Sequence, residues 1–130
     1  MSSSPEKSVL IVDESEDSRE VLRTILSQRG VRIFEACEER SGLQIARDEH
    51  PNVIVFDVDT TAGDFSLCDE IAEQADIDKS SVVLLGSISR WQGESPREVV
   101  RKPYHYGPLI RKIEALLAEA DAMPAAPKAA

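Results

Sequence analysis

Apolar residues fall along this chain in short unbroken runs, separated by stretches of helical periodicity. Val9-Leu10-Ile11-Val12, Val53-Ile54-Val55-Phe56 and Val82-Val83-Leu84-Leu85 contain no polar position. Runs of that kind predict strands covered on both faces, whereas alternation would predict one wet face. Two further runs, 31–36 and one around Val99-Val100, bring the strand candidates to five. Between them, Val21, Leu22, Ile25 and Leu26 put one apolar face on a helix over about 15–29, which Gly30 ends. A second helix over 38–49 carries a thinner stripe of Leu43, Ile45 and Ala46 and stops before Pro51. Leu67, Cys68, Ile71 and Ala72 give a third helix its buried side, and Leu109, Ile110, Ile113, Leu116 and Leu117 follow Pro108 in the last. Strands alternating with helices predict an α/β fold, a doubly wound parallel sheet.

One crossover departs from the rhythm. Residues 86–97, twelve in all, separate the fourth run from the fifth, against twenty-four in 57–80. A full fourth helix barely fits in so short a connection. From 122 onward an Ala/Pro/Lys tail offers nothing to pack. The expected organisation is one domain over 7–120 with flexible termini at 1–6 and 122–130.

Charge narrows the function. The net charge is -9, which argues against nucleic acid and anionic lipid as partners, because both require a basic surface. No apolar run approaches the length of a membrane span, and the start lacks the charged and apolar regions of a signal peptide. Cys37 and Cys68 have neither metal-ligand spacing nor the density of a disulfide framework. A reducing, cytoplasmic setting is therefore expected.

Open α/β sheets bind ligands at the carboxyl ends of their strands. There the chain places Asp13-Glu14 after the first run, Asp57 after the third and Lys102-Pro103 after the fifth. Taken singly, Asp13-Glu14 read as a helix cap and first-turn acid, Asp57 and Asp59 as turn residues, and Lys102 as a surface lysine. Taken together they form a carboxylate cluster that is costly without a cation. Magnesium suits such a set, since it takes one or two carboxylates plus phosphate oxygens and water. Asp57 could then attack a phosphoryl group, with Lys102 as a point charge on its oxygens.

With these residues in place, the sequence resembles the receiver domain of bacterial two-component response regulators, of the single-domain chemotaxis-regulator kind. The resemblance covers about residues 7–120, and VLIVDESEDSREVLRTIL, VIVFD and VVRKPY are its most specific pieces. It implies a flavodoxin-like fold of strand order 2-1-3-4-5, here with a shortened fourth helix. It implies Asp57 as phosphoacceptor, Asp13, Glu14 and the backbone carbonyl of Asp59 as magnesium ligands together with Asp57, Lys102 as the site lysine, and a cis Lys102-Pro103 bond. Implied partners are a histidine kinase or phosphotransfer protein and an unidentified downstream protein.

Three positions depart from the family pattern. The segment after the phosphoacceptor, Val58-Asp59-Thr60-Thr61-Ala62-Gly63-Asp64-Phe65, lacks the usual proline and Asp-Gly and is one residue shorter. Gly86 aligns with the Thr or Ser that contacts the phosphoryl group, leaving Ser87, one position later, as a replacement only if the strand shifts. Val99 stands where an aromatic residue is common. His50 and His105 read as helix-end and loop residues rather than phosphorelay histidines, and Trp91 as a partner anchor or a core cover.

The leading expectation is a stand-alone phosphoacceptor that catalyses only its own modification and turns over no external substrate. A degenerate receiver, acting as a protein-interaction module without phosphorylation, is the alternative from the binding class. An enzymatic alternative rests on Asp57-Val58-Asp59-Thr60-Thr61, which resembles the nucleophile motif of haloacid dehalogenase-type phosphatases, with Leu84-Leu85-Gly86-Ser87 like their second motif. Against it, that motif normally opens the domain, and here few residues remain downstream.

Overall fold

The computed structural model describes residues 7–61, 66–86 and 98–122. Strands β1 (Ser8–Val12), β2 (Arg32–Ala36), β3 (Val53–Asp57), β4 (Ser81–Gly86) and β5 (Glu98–Arg101) form one sheet in the order β2-β1-β3-β4-β5. Every pairing is parallel. Among the described residues four helices connect or follow them: α1 (Glu16–Gln28), α2 (Glu39–Glu49), α3 (Ser66–Asp78) and α4 (Tyr106–Ala122).

The unbroken apolar runs become the central strands, and alternate residues feed opposite faces. Val9, Ile11, Val53, Val55, Val83 and Leu85 pack against Leu22 and Leu26 of α1 and Leu109, Ile110 and Ile113 of α4. Leu10, Val12, Ile54, Phe56, Val82 and Leu84 pack against Leu43 and Ala46 of α2 and Ile71 and Ala75 of α3. Each fully buried Leu, Ile or Phe contributes roughly 1.5–3 kcal/mol by leaving water, so both faces hold the sheet. α2 can come close to β1 because Gly42 has no side chain: a Cβ there would stand 2.7 Å from Val12 Cγ2.

Several expected boundaries move by a residue. Ser15 is the N-cap of α1 rather than its first residue, its hydroxyl accepting from the Ser18 amide at 3.3 Å. Asp57 belongs to β3 and is paired in register with Leu85. The expected loop after it begins as a single 3-10 turn, Val58–Thr61. α4 runs through Ala122, so the tail starts one residue later than its composition suggested. The expected shortened helix, with Ser87 and Trp91, lies outside the described residues, as do 1–6 and 123–130.

Candidate functional site

The β1 end of the crevice is built around a buried acid. Asp13 is 3% exposed. Its amide donates to the Ala36 carbonyl at 3.0 Å, and its Oδ1 accepts the Ser15 amide at 2.8 Å. It therefore closes a turn ahead of the helix cap instead of being the cap. Arg19, one turn into α1, donates to the Asp13 carbonyl at 2.5 Å and to Glu35 Oε1 at 3.1 Å. Sequence reasoning missed Arg19, whose role depends on a helix folding back over the strand end. Glu14 is exposed beside Asp13.

The β3 end supplies Asp57, 5% exposed. Lys102 Nζ donates to Asp57 Oδ2 at 2.8 Å, and the Asp59 amide donates to Asp57 Oδ1 at 2.9 Å. The turn role and the site role of Asp57 are thus filled by one side chain. Lys102 arrives through the sheet: Gly86 pairs with Arg101, the Lys102 amide donates to the Gly86 carbonyl at 3.4 Å, and the Lys102-Pro103 bond is cis. The same ammonium lies 3.2 Å from Asp59 Oδ2. Asp59, expected only as a backbone ligand, brings its side chain into the site as well.

Charge in the crevice is strongly coupled. Burial pushes the Asp13 carboxyl above its ordinary range; the Ser15 amide opposes this, and the neighbouring Asp57 charge adds to it. Burial alone would lower the Lys102 ammonium, but its hydrogen bond to Asp57 and the charges of Asp57 and Asp59 hold it above its usual value. Tyr104, just after the cis bond, is pushed up to about 12 by burial first, then by Tyr106 and Asp13. Its ring meets Tyr106 edge to face, centroids 5.5 Å apart.

Two adjacent buried carboxylates with one raised above its range are the donor set that a hard divalent cation relieves. Among the described residues no three His, Cys, Asp or Glu side chains are arranged to hold a metal unaided. A magnesium-type ion fits on different terms, because it needs few carboxylates and retains water. Asp13 and Asp57, with Glu14 and the Asp59 carbonyl nearby in sequence, would hold it.

At the β4 end Gly86, which the sequence already marked as lacking the family's hydroxyl, has the space beside it filled. Gly86 has φ +140°, and a Cβ built there would stand 2.7 Å from Val58 Cγ2 and 3.1 Å from Asp59 Oδ1. Ser87, the candidate replacement, lies outside the described residues. On β5, Val99 is 40% exposed.

A family model described as the response regulator receiver domain matches residues 9–90. Among curated relatives, the probable transcriptional regulator ycf27 of Galdieria sulphuraria is 34% identical over 62% of this chain and 32% of that protein. The one from Porphyra purpurea is 29% identical over 87% of this chain and 48% of that protein. The chain thus spans about a third to a half of the length of these relatives. Among solved structures, a CheY-like receiver domain protein from Methanospirillum hungatei superposes with a TM-score of 0.75 at 18% identity, covering 90% of this chain and 98% of that one. A receiver-modulated diguanylate cyclase from Pelobacter carbinolicus gives 0.70 at 21% identity, covering 89% and 96%.

Proposed function

The chain belongs to the response regulator receiver domain family, and from that premise we propose that Asp57 accepts a phosphoryl group in a Mg²⁺-dependent reaction. The observation that carries this reading is the Lys102 ammonium, 2.8 Å from Asp57 Oδ2, in a crevice where Asp13 supplies a second buried carboxylate. A carboxylate oxygen of Asp57 forms the new bond to phosphorus as the bond from phosphorus to the donor's nitrogen breaks. The donor, a histidine kinase or phosphotransfer protein, leaves as a neutral imidazole because the other nitrogen of its phosphohistidine ring is already protonated. Bound magnesium would neutralise charge on the transferring group. Lys102 orients Asp57 and offers a cation to the phosphoryl oxygens, while Arg19 and Ser15 fix the turn that presents Asp13.

The chain is only the acceptor: the aspartyl phosphate is the product, and no external substrate is turned over. We take the receiver domain as residues 7–120, acting in the cytoplasm, with a downstream protein as the reader of its surface. No helix among the described residues is long and apolar enough to cross a membrane. The curated relatives are named transcriptional regulators, but the acidic net charge of -9 favours protein partners over nucleic acid for this portion.

Intact-mass spectrometry after incubation with acetyl phosphate, with and without Mg²⁺, tests the reading. One added phosphoryl group, dependent on Mg²⁺ and absent from Asp57→Asn, is expected. Unchanged labelling in Asp57→Asn would overturn the assignment. The filled space at Gly86 favours a second reading, a receiver that docks partners without being phosphorylated, and no labelling under any condition would select it. The phosphatase alternative has no such observation in its favour.

A further inference from the structure

We propose that the Asp59 carboxylate is an internal anion that competes with the phosphoryl group for Lys102, and that Gly86 makes room for it at the end of β4. This deepens the phosphoacceptor reading and rests on it. Asp57 is paired with Leu85 in the β3–β4 register, so Val58 and Gly86, the next residue of each chain segment, lie side by side. Val58 is 4% exposed and belongs to the core cluster on the α2 and α3 face. Its Cγ2 stands 2.7 Å from where a Cβ of residue 86 would be. A side chain at the strand end and the present position of Val58 therefore exclude one another.

The plug aims its neighbour. With Val58 anchored in the core and the Asp59 amide held on Asp57 Oδ1 at 2.9 Å, the Asp59 carboxylate is directed over Gly86, with Oδ1 3.1 Å from the vacant Cβ position. Its Oδ2 lies 3.2 Å from Lys102 Nζ. The ammonium has three protons and here serves two carboxylates, Asp57 at 2.8 Å and Asp59 at 3.2 Å. A phosphoryl group on Asp57 brings further anionic oxygens to the same cation. It must then share Lys102 with Asp59 or displace it, and the like charge of Asp59 opposes both. Asp59 thus sets how tightly the site retains a phosphoryl group.

The test uses the full chain and beryllofluoride, a phosphoryl mimic, titrated at saturating Mg²⁺ into wild type, Asp59→Asn and Asp57→Asn. Asp59→Asn keeps the backbone carbonyl and removes the charge. Because Asp59 and Lys102 are both about a third exposed, screening limits the gain, and Asp59→Asn is expected to bind the mimic roughly two- to five-fold more tightly. At 1 M salt, where the screening length is about 3 Å, that difference should shrink. Equal or weaker binding by Asp59→Asn, with binding lost in Asp57→Asn, overturns the inference and leaves the phosphoacceptor reading intact. Binding undiminished in Asp57→Asn, or absent from both wild type and Asp59→Asn, overturns the phosphoacceptor reading and the inference with it. Asp59→Ser serves as a second variant should Asp59→Asn fold poorly. In metal-free protein, thermal melts of Gly86→Ala, Val58→Ala and the double variant test the shared space: the loss from Gly86→Ala should be smaller in the Val58→Ala background. Additive losses would remove the plug from the account.

Discussion

At the β1 and β3 ends of the sheet two carboxylates, Asp13 and Asp57, are 3% and 5% exposed and each is held by a backbone amide, whereas on the β4 and β5 side Gly86 offers no side chain and Val99, paired with Leu84 further back along β5, is 40% exposed. Both pairs of strand ends border one crevice, and Lys102 connects them. On the proposed reading, the first half has the groups that would accept and hold a phosphoryl group. In the second half, the space where a strand-end side chain would report that group is already occupied by Val58 and Asp59. If Asp57 accepts a phosphoryl group as proposed, the contrast separates chemistry from readout: acceptance is kept while the sensing side is pre-filled.

Variants on either side of Lys102 break the comparison most sharply. Lys102→Ala should slow labelling of Asp57 on the order of 10²-fold, the scale seen when a preorganised charge-stabilising donor is removed, as measured by the rate of mass increase with acetyl phosphate. In the other half, Gly86→Val combines an unfavourable backbone angle with a clash against Val58. It should cost roughly 2–4 kcal/mol of stability in urea melts. Val99→Phe, on the exposed position nearby, should stay within about 0.5 kcal/mol. Equal costs at the two positions would mean that the space beside Gly86 is not filled.

Metal addition sharpens the first half. If a divalent ion binds only the folded carboxylate pair, wild type should gain about 2.7 kcal/mol at a concentration of 100 times its Kd, read as a rise in Tm with Mg²⁺. Asp13→Ala should lose most of that response, and identical responses would remove Asp13 from the ion's surroundings.

A smaller effect lies behind Asp13. Burial raises the Glu35 carboxyl, but hydrogen bonds from Arg23 and Arg19 outweigh it, so the group sits below its ordinary 4.5 in the folded protein. A lowered folded pKa gives stability that is present above pH 4.5 and is lost as pH falls through the folded value. Glu35→Gln should therefore cost about 1 kcal/mol at neutral pH and almost nothing once the pH is below that folded value, as followed by melts across the acid range. A cost that persists unchanged into acid would show that packing, not charge, holds Arg19 over the Asp13 carbonyl.

Much of this was legible in the chain. The polar-free runs named the three central strands, and the stripe from Leu109 to Leu117 named the last helix, because burial on a fixed face requires those spacings. The strand ends that carry Asp13 and Asp57 followed from the same runs, and the end that carries Lys102 from the shorter Val99-Val100 run. The Asp59 side chain did not, since its direction depends on a turn packing against a strand twenty-odd residues away. Gly86 was legible as a missing hydroxyl but not as a filled space: a glycine in sequence does not say what stands beside it. Arg19 escaped for a related reason, because its partner is a backbone carbonyl and no residue type marks that.

The claim that acceptance and readout are separate is tested most directly by amide chemical shifts, recorded with Mg²⁺ before and after addition of beryllofluoride. The account predicts large changes at Asp13, Asp57, Asp59 and Lys102, with Val99, Val100 and the α4 residues nearly unmoved. Changes as large along β5 and α4 as at Asp57 would contradict it and show that the filled crevice still transmits the signal.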